Sequence, residues 1–288
     1  MIPRGMSCFD GIGLMAHRAF MPINPLALAV PLILCLPSTA LAGASDWQEV
    51  EGGALRIVTE KLDPEKAQLR GALELRLKPG WKTYWMDPGD AGVPPTLTIR
   101  HNGADLPIEL RFPAPRRFAD SYSAWAGYDR DVSLAFTLQL PAGFAGDPGL
   151  DAELFIGVCE QICIPVQASL PVDMTSAEGD TETGAAFSSL PGEPTGQFNA
   201  MLAEAKADRL EVEVTAGDST SEVELFVATD GRAMLDTPEP TGRDGATLRF
   251  SIPVLSGGET IGSGSRFPYT LVTQGKAVSG VLQLSGAN

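Results

Sequence analysis

The sequence contains few of the residues on which most enzyme active sites depend. Its two histidines are His17 and His101, and His17 lies in an N-terminal segment that resembles a secretion signal. His101 alone, in the turn His101-Asn102-Gly103, does not supply a histidine metal cluster, a Ser/His/Asp triad or a Cys/His dyad. The sequence also has no phosphate-binding glycine loop and no recognisable catalytic pair of carboxylates. These absences leave the cysteines as the candidates for chemistry.

Beyond residue 42, no apolar run reaches the roughly 20 residues that a helix needs to span a bilayer. Residues 1–42 carry Arg4 and Arg18, then an apolar run interrupted by prolines, and they end in Ala40-Leu41-Ala42. A basic head, an apolar middle and an Ala-x-Ala exit predict a secretory signal peptide. An uncleaved membrane anchor is less favoured because the run is short. We therefore expect an exported, periplasmic protein that is soluble after cleavage.

Basic residues are few beside acidic ones. The chain has 21 lysines and arginines against 36 aspartates and glutamates, a net charge of −15. Removal of residues 1–42, which contain two arginines and one aspartate, leaves −16. Such a charge argues against nucleic acid and anionic membranes as partners.

Cysteine is also scarce. Cys8 and Cys35 lie in the predicted signal peptide, so the exported chain keeps only Cys159 and Cys163. In an oxidising compartment we expect this pair to form a disulfide unless another protein reduces it. Closing so short a loop stabilises the fold by a few kcal/mol at most. Three interpretations stay open on these residues: a structural disulfide, thiol–disulfide exchange, and Cu(I) binding with Met86 as a further ligand.

The strongest pattern in the chain is a two-residue alternation of apolar and polar residues. It runs through residues 69–78 and 132–140, and apolar runs at 151–158 and 164–172 flank the cysteines. Alternation of this kind predicts half-buried strands, and turns rich in proline and glycine between them favour a β-sandwich. The cysteine pair is then expected to bridge the end of a hairpin.

The composition changes after residue 173. Residues 174–197 are rich in Ser, Thr, Glu, Gly and Pro, which predicts a polar linker. Residues 198–207 are interpreted as a short amphipathic helix with Met201, Leu202 and Ala205 on its apolar side. Alternation returns after that, so the predicted fold is all-β, with β-sandwich domains at 46–173 and 208–288 and a linker and short helix at 174–207.

Two segments resemble a known family. Gly80-Trp81-Lys82-Thr83-Tyr84-Trp85-Met86-Asp87-Pro88-Gly89-Asp90-Ala91-Gly92-Val93-Pro94 is similar to the signature GWHTYWRNPGDSGLP, and Gly157-Val158-Cys159-Glu160-Gln161-Ile162-Cys163-Ile164-Pro165-Val166 contains a match to VCKDICIPV. Both signatures are typical of the N-terminal periplasmic region of DsbD-type thiol–disulfide interchange proteins, especially the ScsB (suppressor of copper sensitivity) branch. The resemblance is good over 46–173 and loose beyond. Lys82, Met86 and Asp87 depart from the signature, which has His, Arg and Asn at these positions.

The resemblance implies immunoglobulin-like sandwiches and a Cys159–Cys163 pair that cycles between dithiol and disulfide. It also implies thioredoxin-like partners and an aromatic loop over the cysteines, for which the candidates are Tyr122, Trp125 and Tyr128. Trp81, Tyr84 and Trp85 are interpreted instead as a packing cluster.

The leading hypothesis is a periplasmic exchange module. A separate membrane reductant would reduce the Cys159–Cys163 disulfide, because the sequence lacks the membrane and thioredoxin-like domains of full-length relatives. No cofactor is expected. The alternatives are a non-catalytic envelope binding module with a structural disulfide and a Cu(I)-handling protein.

Overall fold

The computed structural model describes residues 44–283, apart from positions 64, 90–91, 120–123, 145–148, 176, 218–221 and 263. The predicted signal peptide and the candidate Tyr122 therefore lie outside the described residues. Within the described part strands dominate, so the all-β fold predicted from the alternation is confirmed. No helix in the described ranges is both long and apolar enough to cross a membrane.

Two packed sheets make up the first half of the chain. Their strands are β1 (Gln48–Val50), β2 (Gly53–Thr59), β3 (Gln68–Leu77), β4 (Lys82–Tyr84), β5 (Thr96–His101), β6 (Ala104–Leu106), β7 (Ile108–Arg111), β8 (Arg116–Ala119), β9 (Ala124–Tyr128), β10 (Val132–Gln139), β11 (Leu150–Cys159) and β12 (Cys163–Pro171). One sheet has the order β1-β2-β3-β10-β7. The other has the order β6-β5-β11-β4-β9-β8, with β12 paired to β11. We call this pair of sheets the first sandwich.

The core of the first sandwich follows from the alternation. Inward residues of β3 and β10 are buried between the sheets: Leu69, Leu73, Leu75, Leu134, Phe136 and Leu138. The two strands pair directly, with Leu73 opposite Leu134. Burial of a leucine side chain stabilises a fold by about 1.5–3 kcal/mol, so these positions hold the two sheets together.

The segment predicted as a linker contains a helix, α1 (Asp180–Ser188). Ala186 of α1 packs against Val58, Ala72 and Ala135 on the outer face of the first sheet. Ala72 and Ala135 occupy the outward positions of the alternating pattern, and their small side chains let the helix approach closely. The polar linker predicted at 174–197 therefore contains a packed helix at 180–188, which was not predicted from the sequence.

The helix predicted at 198–207 is also wrong, because this segment forms strand β13 (Asn199–Ala205). Phe198, Ala200 and Leu202 are buried while Met201 is 61% exposed. Burial with a period of two is the pattern of a strand. The neighbouring strand β14 (Arg209–Thr215) pairs with this segment and supplies hydrogen-bond partners for its backbone. This pairing outweighs the helical preference of Met201, Leu202 and Ala205.

The second half of the chain forms two further sheets, called the second sandwich. After β13 and β14 its elements are β15 (Val223–Val227), β16 (Met234–Leu235), β17 (Glu239–Asp244), β18 (Thr247–Ser256), a 3₁₀ turn (Gly258–Thr260), β19 (Arg266–Thr273) and β20 (Lys276–Gln283). One sheet has the order β13-β14-β18-β16, with β17 also on β18, and the other has the order β15-β19-β20. Their facing residues share a core that includes Leu210, Val212 and Leu271.

The two sandwiches are not separated cleanly. Phe226 of β15 and Ala228 belong to the core of the first sandwich, not of the second. The division into domains at 46–173 and 208–288 therefore remains a proposal.

A matched pair of substitutions in β13 distinguishes the strand from the predicted helix. We expect Leu202→Ala to lower the free energy of unfolding by about 2–4 kcal/mol, because Leu202 is buried. Met201→Ala should change it by less than about 0.5 kcal/mol, because Met201 faces solvent. Urea denaturation of both variants measures the difference. Equal effects of the two substitutions would support the helix, in which both residues share one face.

Candidate functional site

The cysteine pair closes the end of a hairpin. Strand β11 ends at Cys159 and β12 begins at Cys163, and these two residues are direct partners in the register of the hairpin. Residues 160–162 make the turn between them. Facing residues at the end of an antiparallel pair lie within the reach of a disulfide, and the structure contains the Cys159–Cys163 bond. The predicted placement at a hairpin end is thus what the structure shows.

The two sulfurs have different surroundings. Cys159 is buried, at 7% exposure, whereas Cys163 is exposed. Ile162, immediately before Cys163, is 71% exposed and is the most exposed large apolar side chain among the described residues. A molecule approaching the hairpin tip therefore meets Cys163 first, beside an apolar side chain.

Tyr84 touches both sulfurs. Its hydroxyl oxygen lies 2.8 Å from the Sγ atom of Cys159 and 2.8 Å from that of Cys163. Disulfide sulfurs carry no hydrogen, so the hydroxyl is the donor and shares its one proton between two acceptors. Burial raises the pKa of Tyr84 above its ordinary value. The hydroxyl consequently stays protonated, and able to donate, throughout the physiological pH range.

Strand pairing brings Tyr84 to this position. Strand β4 is hydrogen-bonded to the last residues of β11, with Lys82 opposite Cys159 and Thr83 opposite Val158. Residues two apart on a strand share a face, so Tyr84 and Lys82 lie on the same side of the sheet as Cys159. The Thr83 hydroxyl fixes the register further by donating to the Gly157 carbonyl over 2.8 Å.

Two glycines leave room for the tyrosine ring. A Cβ atom on Gly157 would lie 2.8 Å from Tyr84 Cε2, and one on Gly92 would lie 2.8 Å from Tyr84 Cδ1. Both distances are below any normal carbon contact. The ring is therefore held between two backbone segments that only glycine allows to approach so closely.

Trp125 is the candidate aromatic residue that the structure brings to the site. Its ring meets the ring of Tyr84 edge-on at a centroid distance of 5.4 Å and stacks on Phe118 at 4.4 Å. Lys82 Nζ lies about 6 Å from the centroids of both Trp125 and Phe118, within the range of a cation–π contact. Phe118, Trp125 and Tyr84 thus form one continuous aromatic cluster that ends at the disulfide.

The other sequence candidates lie elsewhere. Tyr128 is buried, and its hydroxyl donates to the Pro113 carbonyl over 2.8 Å. Trp85 is also buried and meets the ring of Phe226, which fits its interpretation as a packing residue. Tyr84 was interpreted in the same way, and its contact with the sulfurs was missed. The sequence shows that Tyr84 and Lys82 are two residues apart and would share a face of a strand. It does not show that this strand, β4, pairs with β11.

The candidate third copper ligand, Met86, packs against the core of the first sandwich. Across the described ranges, no group of three or more His, Cys, Asp and Glu side chains lies close enough together to hold a metal ion. The groups that the structure brings together here are the disulfide, the Tyr84 hydroxyl and the aromatic cluster. Such a set can break and form a sulfur–sulfur bond beside a fixed hydrogen-bond donor.

Comparison with known proteins agrees with the family resemblance. Residues 58–172 match the family model described as "Thiol:disulfide interchange protein DsbD, N-terminal". The matched segment contains Tyr84, Trp125 and both cysteines. The fold is also similar to the crystal structure of the N-terminal periplasmic domain of ScsB from Proteus mirabilis, at a TM-score of 0.67 and 20% identity. That match covers 84% of this chain and 97% of the other and establishes the fold. No curated protein matches the sequence.

Substitution of Gly157 tests how tightly the first sandwich holds Tyr84. We expect Gly157→Ala to lower the free energy of unfolding by about 1–3 kcal/mol, because the new methyl group overlaps the tyrosine ring. Gly242→Ala is the control, since Gly242 also lies in a strand but a Cβ there meets nothing within 4 Å. Urea denaturation measures both variants. Equal stabilities of the two would show that the ring is not confined.

Proposed function

We propose that the chain is a periplasmic thiol–disulfide exchange module. The Cys159–Cys163 pair passes reducing equivalents from a separate membrane reductant to thioredoxin-like proteins. One observation supports this most strongly: the buried Cys159 and the exposed Cys163 share a hydrogen-bond donor, Tyr84. The match of residues 58–172 to the DsbD N-terminal family supports the same chemistry. Export by a signal peptide at residues 1–42 and thioredoxin-like partners belong to the proposal.

The difference in exposure supports a different role for each cysteine in this proposal. In the reduced protein the Cys163 thiolate attacks one sulfur of a partner's disulfide, and the partner's other sulfur leaves as a thiolate that takes up a proton. The Cys159 thiolate then attacks Cys163, which forms the Cys159–Cys163 bond and releases the partner's second thiolate. Two electrons and two protons pass to the partner, which ends as a dithiol.

Tyr84 acts on the buried sulfur. A thiolate accepts a hydrogen bond more strongly than a neutral disulfide sulfur does, because hydrogen bonds to charged groups are stronger. The Tyr84 hydroxyl therefore stabilises the Cys159 thiolate relative to the disulfide. This favours the reduced protein and makes Cys159 a better leaving group when a reductant attacks Cys163.

Replacement of single cysteines tests the exchange. We expect Cys159→Ala to accumulate a mixed disulfide with an oxidised thioredoxin-like protein, because Cys163 can attack but Cys159 is absent and cannot release the partner as a dithiol. Cys163→Ala should give much less, because Cys159 is buried. Non-reducing electrophoresis and mass spectrometry of purified mixtures measure both products. Absence of a mixed disulfide with either variant would count against exchange, and equal trapping would overturn the assignment of roles.

Removal of the Tyr84 hydroxyl tests its part in the chemistry. We expect Tyr84→Phe to make the reduction potential of the pair more negative by about 30–60 mV, which corresponds to the roughly 1.5–3 kcal/mol typical of a hydrogen bond to a charged group. Equilibration with a glutathione buffer measures the potential.

Tyr128→Phe is the matched control, because it removes a buried hydroxyl that bonds to Pro113 instead of to sulfur. Equal shifts in the two variants would contradict a specific role for Tyr84. The wild-type value also tests the function. An exchange protein is expected between about −120 and −270 mV, and a value below about −300 mV would indicate a structural disulfide.

A further inference from the structure

The neighbouring side chains of Tyr84 and Trp85 point in opposite directions, one toward the disulfide and the other toward the second sandwich. The ring of Tyr84 lies at the disulfide, whereas the ring of Trp85 meets Phe226 of β15 edge-on at a centroid distance of 5.9 Å. Consecutive residues of an extended chain point to opposite faces. The backbone at this point is therefore held by the redox site on one side and by the second sandwich on the other.

The same arrangement occurs in β8. Phe118 stacks on Trp125, which in turn contacts Tyr84. Its neighbour Arg117 reaches into the second sandwich, where one guanidinium nitrogen donates to the Leu225 carbonyl over 2.9 Å and another to the Thr237 hydroxyl over 3.3 Å. The guanidinium also lies 4.7 Å from the centroid of the Phe226 ring.

A third contact fixes the loop after β4. One carboxylate oxygen of Asp87 accepts a hydrogen bond from the Thr229 backbone N–H over 2.9 Å. The other accepts from the Gly89 N–H over 3.2 Å. The adjacent Pro88 carbonyl accepts from the Ala126 N–H over 3.3 Å, so the loop is tied both to the second sandwich and to β9.

These contacts are of a kind that is costly to break. Arg117 is partly buried, and desolvation lowers its pKa, while the charges of Glu224 and Asp236 in the second sandwich act in the opposite direction. A guanidinium that has lost water on burial needs its protein partners. Movement of β15 away from β8 would leave Arg117 without them, so we expect the two strands to move together.

We propose that the second sandwich is a brace for the redox site and that Arg117 is its main positioning residue. By fixing β8 and the end of β4, it holds Tyr84 and Trp125 against the Cys159–Cys163 disulfide. The inference rests on the proposed function only for the biological use of this support. The contacts of the second sandwich fix the geometry of the site whether or not the disulfide exchanges with a partner. It assigns a role to the second sandwich, which carries no cysteine.

The test measures the rate at which dithiothreitol reduces the disulfide in the full exported chain. We expect Arg117→Ala to slow reduction about three- to tenfold, since Tyr84 then donates less effectively to the leaving Cys159 sulfur. In the Tyr84→Phe background the same substitution should have no further effect. Arg117 contacts Leu225 and Phe226 of the second sandwich, whereas the Tyr84 hydroxyl contacts the sulfurs. Non-additivity of the two substitutions would therefore show coupling through the strands.

Two controls separate positioning from stability. Leu210→Ala destabilises the core of the second sandwich without touching the contacts described above, and Arg249→Ala removes an exposed arginine that pairs with Glu213. Neither should change the rate while the protein is folded. The proposal would be overturned if Leu210→Ala slowed reduction as much as Arg117→Ala. It would also be overturned if the effects of Arg117→Ala and Tyr84→Phe on the rate multiplied.

Phe226→Leu covers the case in which Arg117→Ala does not fold. It keeps the site apolar but removes the ring that contacts both Trp85 and Arg117. We expect slower reduction here too, and a wild-type rate would overturn the proposal. Exchange of the wild-type chain with a thioredoxin-like protein is measured separately. Failure of that exchange would contradict the proposed function alone, and an unchanged rate in folded Arg117→Ala would contradict the brace alone.

Discussion

The pairing of the last residues of β11 is the constraint on which the site depends. On one edge Cys159 is opposite Cys163 of β12, and on the other it is opposite Lys82 of β4. The first pairing places the two sulfurs within bonding distance. The second places Tyr84, two residues further along β4, on the face that carries the sulfurs. A shift of β4 by one residue would turn Tyr84 to the other face of the sheet, so the hydroxyl–sulfur contact is a consequence of register.

That register also gives the buried Tyr84 hydroxyl its hydrogen-bond partners. A phenolic hydroxyl taken out of water requires a hydrogen-bond partner, and here the partners are the two sulfurs. The room for the ring comes from Gly92 and Gly157, which pack where any side chain would overlap it. The same contacts that satisfy the fold therefore place a hydrogen-bond donor at both sulfurs of the disulfide. Tyr128 shows the alternative, a buried tyrosine whose hydroxyl is satisfied by a backbone carbonyl and is remote from the chemistry.

Local patterns in the sequence were enough to predict most strands and the position of the cysteine pair. Alternation marks β3 and β10 because each has one buried face, and the cysteines lie between two apolar runs that form a hairpin. Local patterns failed where tertiary pairing decides the structure. The segment around Met201 has residues that suit a helix, yet β14 offers it a partner strand. Tyr84 could not be assigned to the site because 75 residues separate it from Cys159, and no local signal specifies that pairing.

The contacts between the sandwiches occur where the first sandwich has few contacts of its own to hold β4, β8 and β9 in place. Strand β4 is three residues long, and β8 lies at the edge of its sheet. Trp85, next to β4, is almost fully buried, and Phe226 from the second sandwich covers part of its ring. Without that cover a large apolar surface would face water directly behind Tyr84. The first sandwich is thus incomplete behind Tyr84 and the disulfide, and the second sandwich covers the surface that would otherwise be exposed there.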